Sequence, residues 1–372
     1  MKKKLPISLC MIVKNEEKLL SKCLESVQNL VEEIIIVDTG STDKTKEICD
    51  KYQAKTYDFI WTESFSEARN FGINKATKEW ILWLDADEEI IIKNIEEFKN
   101  SLESNKKNLY LIPIINYYGS SSPDPNLSYL FASHRLFRNH QGFKFMGNIH
   151  EQLTKQNLDE KGLGEIEIIP YIEIHHYGYM DSVVKDKKKN ERNLNLLKKE
   201  KKNSNYDPWI DYHIASEYYR MKEYEKAFTE VNSSIIRFLQ IQQLPPSLLY
   251  KLKYEILILL KSYEGAKTGI DKAIALYPKY VDLHFYKGII LFQEKLFEEA
   301  LVVFKHCLEL GESQIQYLIL AGTGSYAAWY FIGCCHENLG DCKQASKAYI
   351  EAINIYPNYA EAQLKLSYLL KG

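Results

Sequence analysis

Over the first ninety residues, short apolar runs alternate with amphipathic segments, and that rhythm admits few folds. The strand-like runs are ISLCMIV (7–13), EEIIIVD (32–38), KTYDFI (55–60) and EWILWLDAD (79–87). Between them, Leu19, Leu20, Cys23, Leu24 and Val27 fall on one face of a helix, and DKTKEICDKY (43–52) and SFSEARNFGINKA (64–76) read as two further helices. This spacing predicts right-handed crossover units and an open parallel sheet. Such sheets bind ligands at the carboxyl ends of their strands. Asp38 and Asp85 both sit at such ends.

The fourth run, Ile81-Leu82-Trp83-Leu84, stops abruptly in Asp85-Ala86-Asp87-Glu88-Glu89. If the extended chain continues, Asp85 and Asp87 project from one side, because strand side chains alternate. Two crowded carboxylates repel unless a cation or polar ligand sits between them. The alternative is a solvated acidic turn. Glu88 and Glu89 are expected to face solvent or to cap the next helix. Beyond this point the rhythm becomes mixed. A helix near 91–104 is followed by strands at 108–119, 128–138, near 143–147 and at 165–177, with a polar loop at 120–126.

The second half is helical and repeats. From Tyr326, the residues Trp329, Gly333, Gly340, Ala345, Tyr349, Ala352 and Pro357 fall at the preferred positions of the 34-residue tetratricopeptide pattern. Earlier units start at Val281 (Gly288, Ala300, Phe304), at Ser247 (Ala266, Ala273, Pro278) and near Pro208 (Ala215, Tyr218, Ala227). The spacing from Val281 to Tyr326 is too long for one unit, so GESQIQYLILAGTGS (311–325) contains an insertion. The expected organisation is α/β plus all-α: a Rossmann-like mixed-sheet domain at residues 1–184, a basic linker at 185–206 and helical repeats at 207–372. The linker holds nine basic residues at 185–205. It is expected to form a solvated helix with Val184, Leu194 and Leu197 inward, and a phosphate or nucleic-acid patch is the alternative.

Net charge of −2 gives no global reason to expect nucleic acid, and no apolar window approaches the roughly 20 residues of a transmembrane helix. The short apolar stretch after Met1-Lys2-Lys3-Lys4 is followed by charged residues rather than a cleavage site. Seven cysteines form no CxxC pair and no zinc-like spacing, which suits a reducing cytoplasm. GxxxxGK[ST] and GxGxxG are missing, removing the main support for kinase, ATPase and dinucleotide-binding functions.

Four blocks, SLCMIVKNEE, VDTGSTDKT, FSEARNFGINKA and WLDADEE, resemble in order and spacing the family 2 glycosyltransferases with a GT-A nucleotide-sugar domain, across roughly residues 6–90. Downstream, HRLFRN, GNIHEQ and IHHYGY resemble a subgroup in which the transferase is joined to tetratricopeptide repeats, such as the peptide S- and O-glycosyltransferases that modify bacteriocins. The resemblance implies nucleotide-sugar contacts at Val13, Asn15, Glu16, Asp38, Gly40, Arg69, Asp85 and Ala86. By it, Asp38 accepts the imide N–H of uracil, Asp85 holds ribose or sugar hydroxyls, and Asp87 holds Mg²⁺ or Mn²⁺. Both are hard cations that one or two carboxylates and phosphate oxygens satisfy. His176 would complete the metal or diphosphate shell, with His175 pointing the other way.

Ordinary structural roles stand beside these. Asp38 could cap the TGSTD turn, Asn15 could cap a helix, Arg69 could pair with Glu67 or Glu63, and His176 could be structural. Family 2 enzymes invert configuration in one displacement, which needs a general base. Glu151 is the candidate and His150 the alternative, although GNIHEQ departs from the Asp-containing motif of many members. The Q-x-x-R-W element of processive synthases is absent.

The expected activity is transfer of a hexose from a UDP-sugar, UDP-glucose being the donor suggested by the subgroup. The acceptor is a Cys or Ser/Thr side chain of a peptide, held by the repeats. A lipid-linked or surface glycan acceptor, a homodimer built through the repeats, and a non-catalytic repeat scaffold are the alternatives.

Overall fold

The computed structural model describes residues 4–104, 107–119, 122–155, 167–180, 187–203 and 205–370. The chain divides into two compact units, Met1–Pro123 with Phe131–Asp186, and Asp124–Leu130 with Lys187–Gly372.

The first unit is built on one sheet. Strands β1 (Leu5–Val13), β2 (Val31–Asp38), β3 (Lys55–Asp58) and β4 (Trp80–Trp83) run parallel in the order β3-β2-β1-β4. Helices α1 (Leu20–Val27), α2 (Thr45–Lys51) and α3 (Phe65–Ile73) connect them. The sheet continues through β7 (Ser128–Arg138), β6 (Leu109–Gly119), β11 (Ile172–Met180) and β5 (Glu88–Ile92), where β7 is antiparallel to β4 and β5 is antiparallel to β11. A hairpin of β8 (Phe143–Met146) and β9 (Gln152–Lys155), the short strand β10 (Glu167–Ile168) beside β6, and α4 (Ile95–Glu103) complete the unit.

Burial on both faces explains the continuous apolar runs. Ile7, Leu9, Met11 and Val13 pack against Leu20, Cys23, Leu24 and Val27 of α1 on one side. Cys10, Ile35, Ile81 and Phe137 pack with Phe143 and Phe145 on the other. The register pairs Val13 with Asp38, and Asp38 with Asp58, so these strand ends are level.

Three local expectations are corrected. The fourth strand ends at Trp83, and Asp85–Glu88 form a turn closed by the Glu88 N–H donating to the Asp85 carbonyl at 3.1 Å. Asp85 and Asp87 are therefore not alternate residues of an extended strand. The helix expected from residue 91 begins at Ile95, where the Asn94 side chain accepts from the Glu97 N–H at 3.2 Å; EEIII before it is β5. The strand expected at 165–177 is broken by a turn at Pro170-Tyr171 into β10 and β11, and its first two residues lie outside the described ones.

Among the described residues of the second unit, α5 (Lys187–Glu200) precedes four helical hairpins and a last helix. The hairpins are α6 (Trp209–Arg220) with α7 (Tyr224–Gln240), α8 (Ser247–Leu259) with α9 (Tyr263–Leu276), α10 (Val281–Gln293) with α11 (Phe297–Leu310), and α12 (Tyr326–Asn338) with α13 (Cys342–Ile355). The last helix is α14 (Ala360–Leu369). Close packing explains the small-residue pattern. A Cβ at Gly288 would lie 2.6 Å from the Phe304 ring, and one at Gly333 would lie 2.6 Å from Cδ1 of Tyr349. In α5, Leu194 and Leu197 are buried; Val184 lies outside the described residues.

Residues 311–325 do separate α11 from α12, and the insertion is pinned rather than loose. Its strand β12 (Ile319–Leu320) pairs with Leu130 and Tyr129. Asp282, fully buried against Lys251 at 2.9 Å, accepts from the Leu320 N–H and the Thr323 hydroxyl. Glu312 accepts from the Gly322 and Gly324 N–H groups and from Ser325. All seven cysteines are free, and among the described residues no helix is long and apolar enough to cross a membrane.

Candidate active site

The loops after β1 and β2 are laced together. Asn15, at φ 57°, donates its N–H to Ser41 Oγ at 2.9 Å and accepts from the Thr42 N–H at 2.8 Å. The Glu16 N–H donates to Thr45 Oγ1, and the Val13 carbonyl accepts from the Thr39 N–H. Asn15 therefore caps no helix; Leu19 occupies that place in α1.

Asp38 is 1% exposed and its two oxygens differ. Oδ1 accepts from the N–H groups of Gly40 (2.9 Å) and Ser41 (2.8 Å), with Gly40 at φ 104°. Oδ2 is buried without a hydrogen-bond partner among the described residues. One oxygen caps the turn, while the other is an orphaned acceptor of the kind that native structures seldom leave unexplained.

At the end of β4, Arg69 reaches from α3 to two carboxylates. Its Nη2 donates to Asp85 Oδ1 at 2.9 Å and its Nε donates to Glu151. Neither Glu67 nor Glu63 is its carboxylate partner in these contacts; Glu67 instead accepts from Thr62. Arg135, from β7, donates to Glu88 Oε1 at 2.6 Å and lies 3.8 Å from Asp85 Oδ2. The Trp83 ring lies beneath both guanidiniums, 4.1 Å from Arg69 Cζ and 3.5 Å from Arg135 Cζ. Burial opposes charge on Asp85, but Arg69 first and then Arg135 outweigh it and hold its carboxyl below the usual range.

Glu88 corrects another expectation. It is 1% exposed, pairs with Arg135 and accepts from the Asp85 N–H at 2.9 Å, so it pins the turn from within. Burial raises its pKa against the pull of Arg135. Glu89 pairs with Lys22 rather than standing in solvent or capping a helix.

The other end of the turn faces β11. His176 Nδ1 donates to Asn116 Oδ1 at 2.6 Å, which directs Nε2 to Asp87 Oδ2, 3.5 Å away. Burial works against a charged His176, but the Asp87 carboxylate outweighs it and raises the pKa above the ordinary value. A Cβ at Gly178 would lie 2.5 Å from His176 Nε2 and closer still to Asp87 Oδ2. His175 does point elsewhere, to Tyr117 and Glu173.

Thus Asp85, Arg69 and Glu151 are joined directly, and Asp87 meets His176 at the other end of the same turn. Val13, Asn15, Glu16, Asp38 and Gly40 form a second cluster at the ends of β1 and β2. Ala86 is buried inside the turn, and His150 precedes Glu151 with a left-handed backbone at φ 53°.

Residues 8–157 match the family model of glycosyl transferase family 2, and residues 326–359 match that of the tetratricopeptide repeat. The first unit matches glycosyl transferase family 2 over most of its length. The SPbeta prophage-derived glycosyltransferase SunS of Bacillus subtilis is 28% identical over 292 residues, 77% of this chain and 66% of SunS. A TPR repeat-containing protein of Synechococcus elongatus is 37% identical over 176 residues, 46% of this chain and 42% of that protein. An uncharacterized glycosyltransferase of Rickettsia typhi is 28% identical over 210 residues, 54% of this chain and 71% of the relative. The chain therefore spans less than two thirds of the length of the first two.

In this unit, Asp87 and His176 are side chains that would suit a hard divalent cation. One carboxylate oxygen and one imidazole nitrogen converge over a glycine that leaves the space open, and Asn116 fixes the ring. No group of three or more His, Cys, Asp and Glu suited to a metal occurs among the described residues. An ion held by these two side chains would keep positions for phosphate oxygens and water.

Several site residues escaped sequence reasoning. Arg135 and Gly178 lie inside blocks recognised as motifs, HRLFRN and IHHYGY, but nothing local gives them a role. Asn116 carries no local signal at all. Asn70 exchanges two 2.9 Å hydrogen bonds with the backbone of Phe145, so the ARN sequence of α3 holds the β8 hairpin as well as Glu151.

Proposed function

We propose that the chain transfers a hexose from a UDP-sugar, with UDP-glucose the first donor to test, to a Cys or Ser/Thr side chain of a peptide, with inversion at the anomeric carbon. The observation that carries this is the convergence of Glu151 and Asp85 on one buried arginine across 82 and 16 residues of sequence. It sets a candidate base beside the acidic turn. In this reading Asp38 Oδ2 accepts the N–H of the base, and Asp85 binds hydroxyls.

Bound at Asp87 and His176 Nε2, Mg²⁺ or Mn²⁺ would offset the charge that develops on the departing diphosphate. Glu151 takes the proton of the acceptor thiol or hydroxyl as its S–C or O–C bond to the anomeric carbon forms and the C–O bond to the diphosphate breaks; His150 is the alternative base. Arg69 holds two carboxylates that would otherwise repel, fixing base and donor site together. The repeats are assigned to hold the acceptor peptide, since repeat surfaces of this type bind extended chains.

The test incubates the full chain with UDP-glucose, Mn²⁺ and Cys- or Ser-containing peptides, followed by mass spectrometry and UDP release. A gain of one hexose on a peptide, lost in Glu151→Gln and retained in His150→Ala, supports the assignment. Absence of UDP-sugar binding at millimolar ligand would sink it.

A further inference from the structure

Arg135 has more donors than the described residues use. It is 7% exposed, and Nη2 is committed to Glu88. Its Nε and Nη1 are buried without a hydrogen-bond partner among the described residues. The Nη1 to Asp85 Oδ2 separation of 3.8 Å is too long for a direct bond. The side chain is also held in place: its guanidinium lies on Trp83, whose Nε1 donates to the His134 carbonyl at 2.8 Å, and Glu88 is fixed by the Asp85 N–H. Asp85 Oδ1 is already taken by Arg69, so Oδ2 is the oxygen left to a ligand.

We propose that Arg135 Nη1 and Asp85 Oδ2 together hold one hydroxyl of the donor's sugar, which makes Arg135 a sugar-recognition residue and rests on the donor assignment above. A hydroxyl oxygen can donate to a carboxylate while accepting from a guanidinium. With each bond at about 2.8 Å, an oxygen bridges the 3.8 Å gap at an angle of roughly 85°. A phosphate oxygen does not fit this pair, because it has no proton for Asp85 and shares its charge. Where a site's buried donors are built for a hydroxyl, a ligand lacking it leaves them unpaired and is rejected.

The experiment is calorimetric titration of the full chain with Mn²⁺ and UDP, UDP-glucose, UDP-galactose or UDP-N-acetylglucosamine, using the tightest UDP-sugar for comparison. Arg135→Lys keeps a cation for Glu88 but has no second nitrogen; Arg135→Met with Glu88→Gln removes the pair together. In both, the UDP-sugar should weaken roughly 10- to 100-fold while UDP changes less than about threefold. Deoxy analogues of that donor supply a readout that a structural role would not move. One analogue should bind wild type as weakly as the full donor binds the variants, and the variants should not discriminate against it further. Equal weakening of UDP and UDP-sugar, or full discrimination against every deoxy analogue by the variants, overturns the proposal. Failure of wild type to bind UDP or any UDP-sugar strikes the donor assignment instead.

Discussion

Asp87 Oδ2 and His176 Nε2 lie 3.5 Å apart, and both occupy the place that a Cβ on Gly178 would take. Gly178→Ala places a methyl group where a cation and its ligands would converge. The expected outcome is loss of Mn²⁺-dependent UDP release by about 10²-fold or more, matching Asp87→Ala, with the thermal midpoint moved by only a few degrees. Turnover assays across a Mn²⁺ series, run beside thermal melts, check this. Wild-type turnover in Asp87→Ala would return the acidic stretch to a structural turn.

Asp38→Asn separates the two jobs of that side chain. Asn keeps an oxygen for the Gly40 and Ser41 N–H groups, but turns a donor toward the place of Oδ2. UDP binding should fall roughly 10- to 100-fold while the melting curve stays near wild type. A large fall in stability with unchanged UDP affinity would leave only the turn-capping role.

Glu33 gives a pH dependence away from the site. It is 6% exposed and accepts from Ser8, Lys55 and Thr77. Burial opposes its charge, but those donors outweigh it and lower its pKa from 4.5 to about 2. The unfolded chain therefore binds the proton more readily. The contribution is full above the unfolded value and is lost as pH falls through about 2; it is worth about 3 kcal/mol at most. Urea melts from pH 7 to pH 2 should show wild type losing this increment and Glu33→Gln, already lower at pH 7, losing less.

Gly333→Ala should destabilise the repeats. The Tyr349 ring is fully buried and its hydroxyl donates to Glu337 at 2.6 Å, so it has little freedom to retreat. Overpacking of about 1–3 kcal/mol should exceed the gain of about 1 kcal/mol from helix propensity. Chemical denaturation followed by circular dichroism measures the difference.

Strand and helix order was legible because each run carries its own period. The insertion at 311–325 was legible because the 34-residue phase fails there. The opposed directions of His175 and His176 followed from strand alternation. The Asp85–Glu88 turn did not follow, because what bends the chain is a carboxylate drawn inward by Arg135, 47 residues away. EEIII is a strand only through its pairing with β11, and nothing within five residues reports a partner 80 positions downstream. Asn116 is invisible for the same reason: its part is set by lying opposite His176 in a neighbouring strand.

Helix α14 begins 34 residues after α12, in phase with the first helix of another hairpin, and its Leu364 and Tyr368 are more than half exposed. Because each such hairpin depends mainly on its immediate neighbours, the phase defines a splice point for engineering. Consensus hairpins can be added there in whole 34-residue steps, lengthening the helical array without redesigning the domain that precedes it.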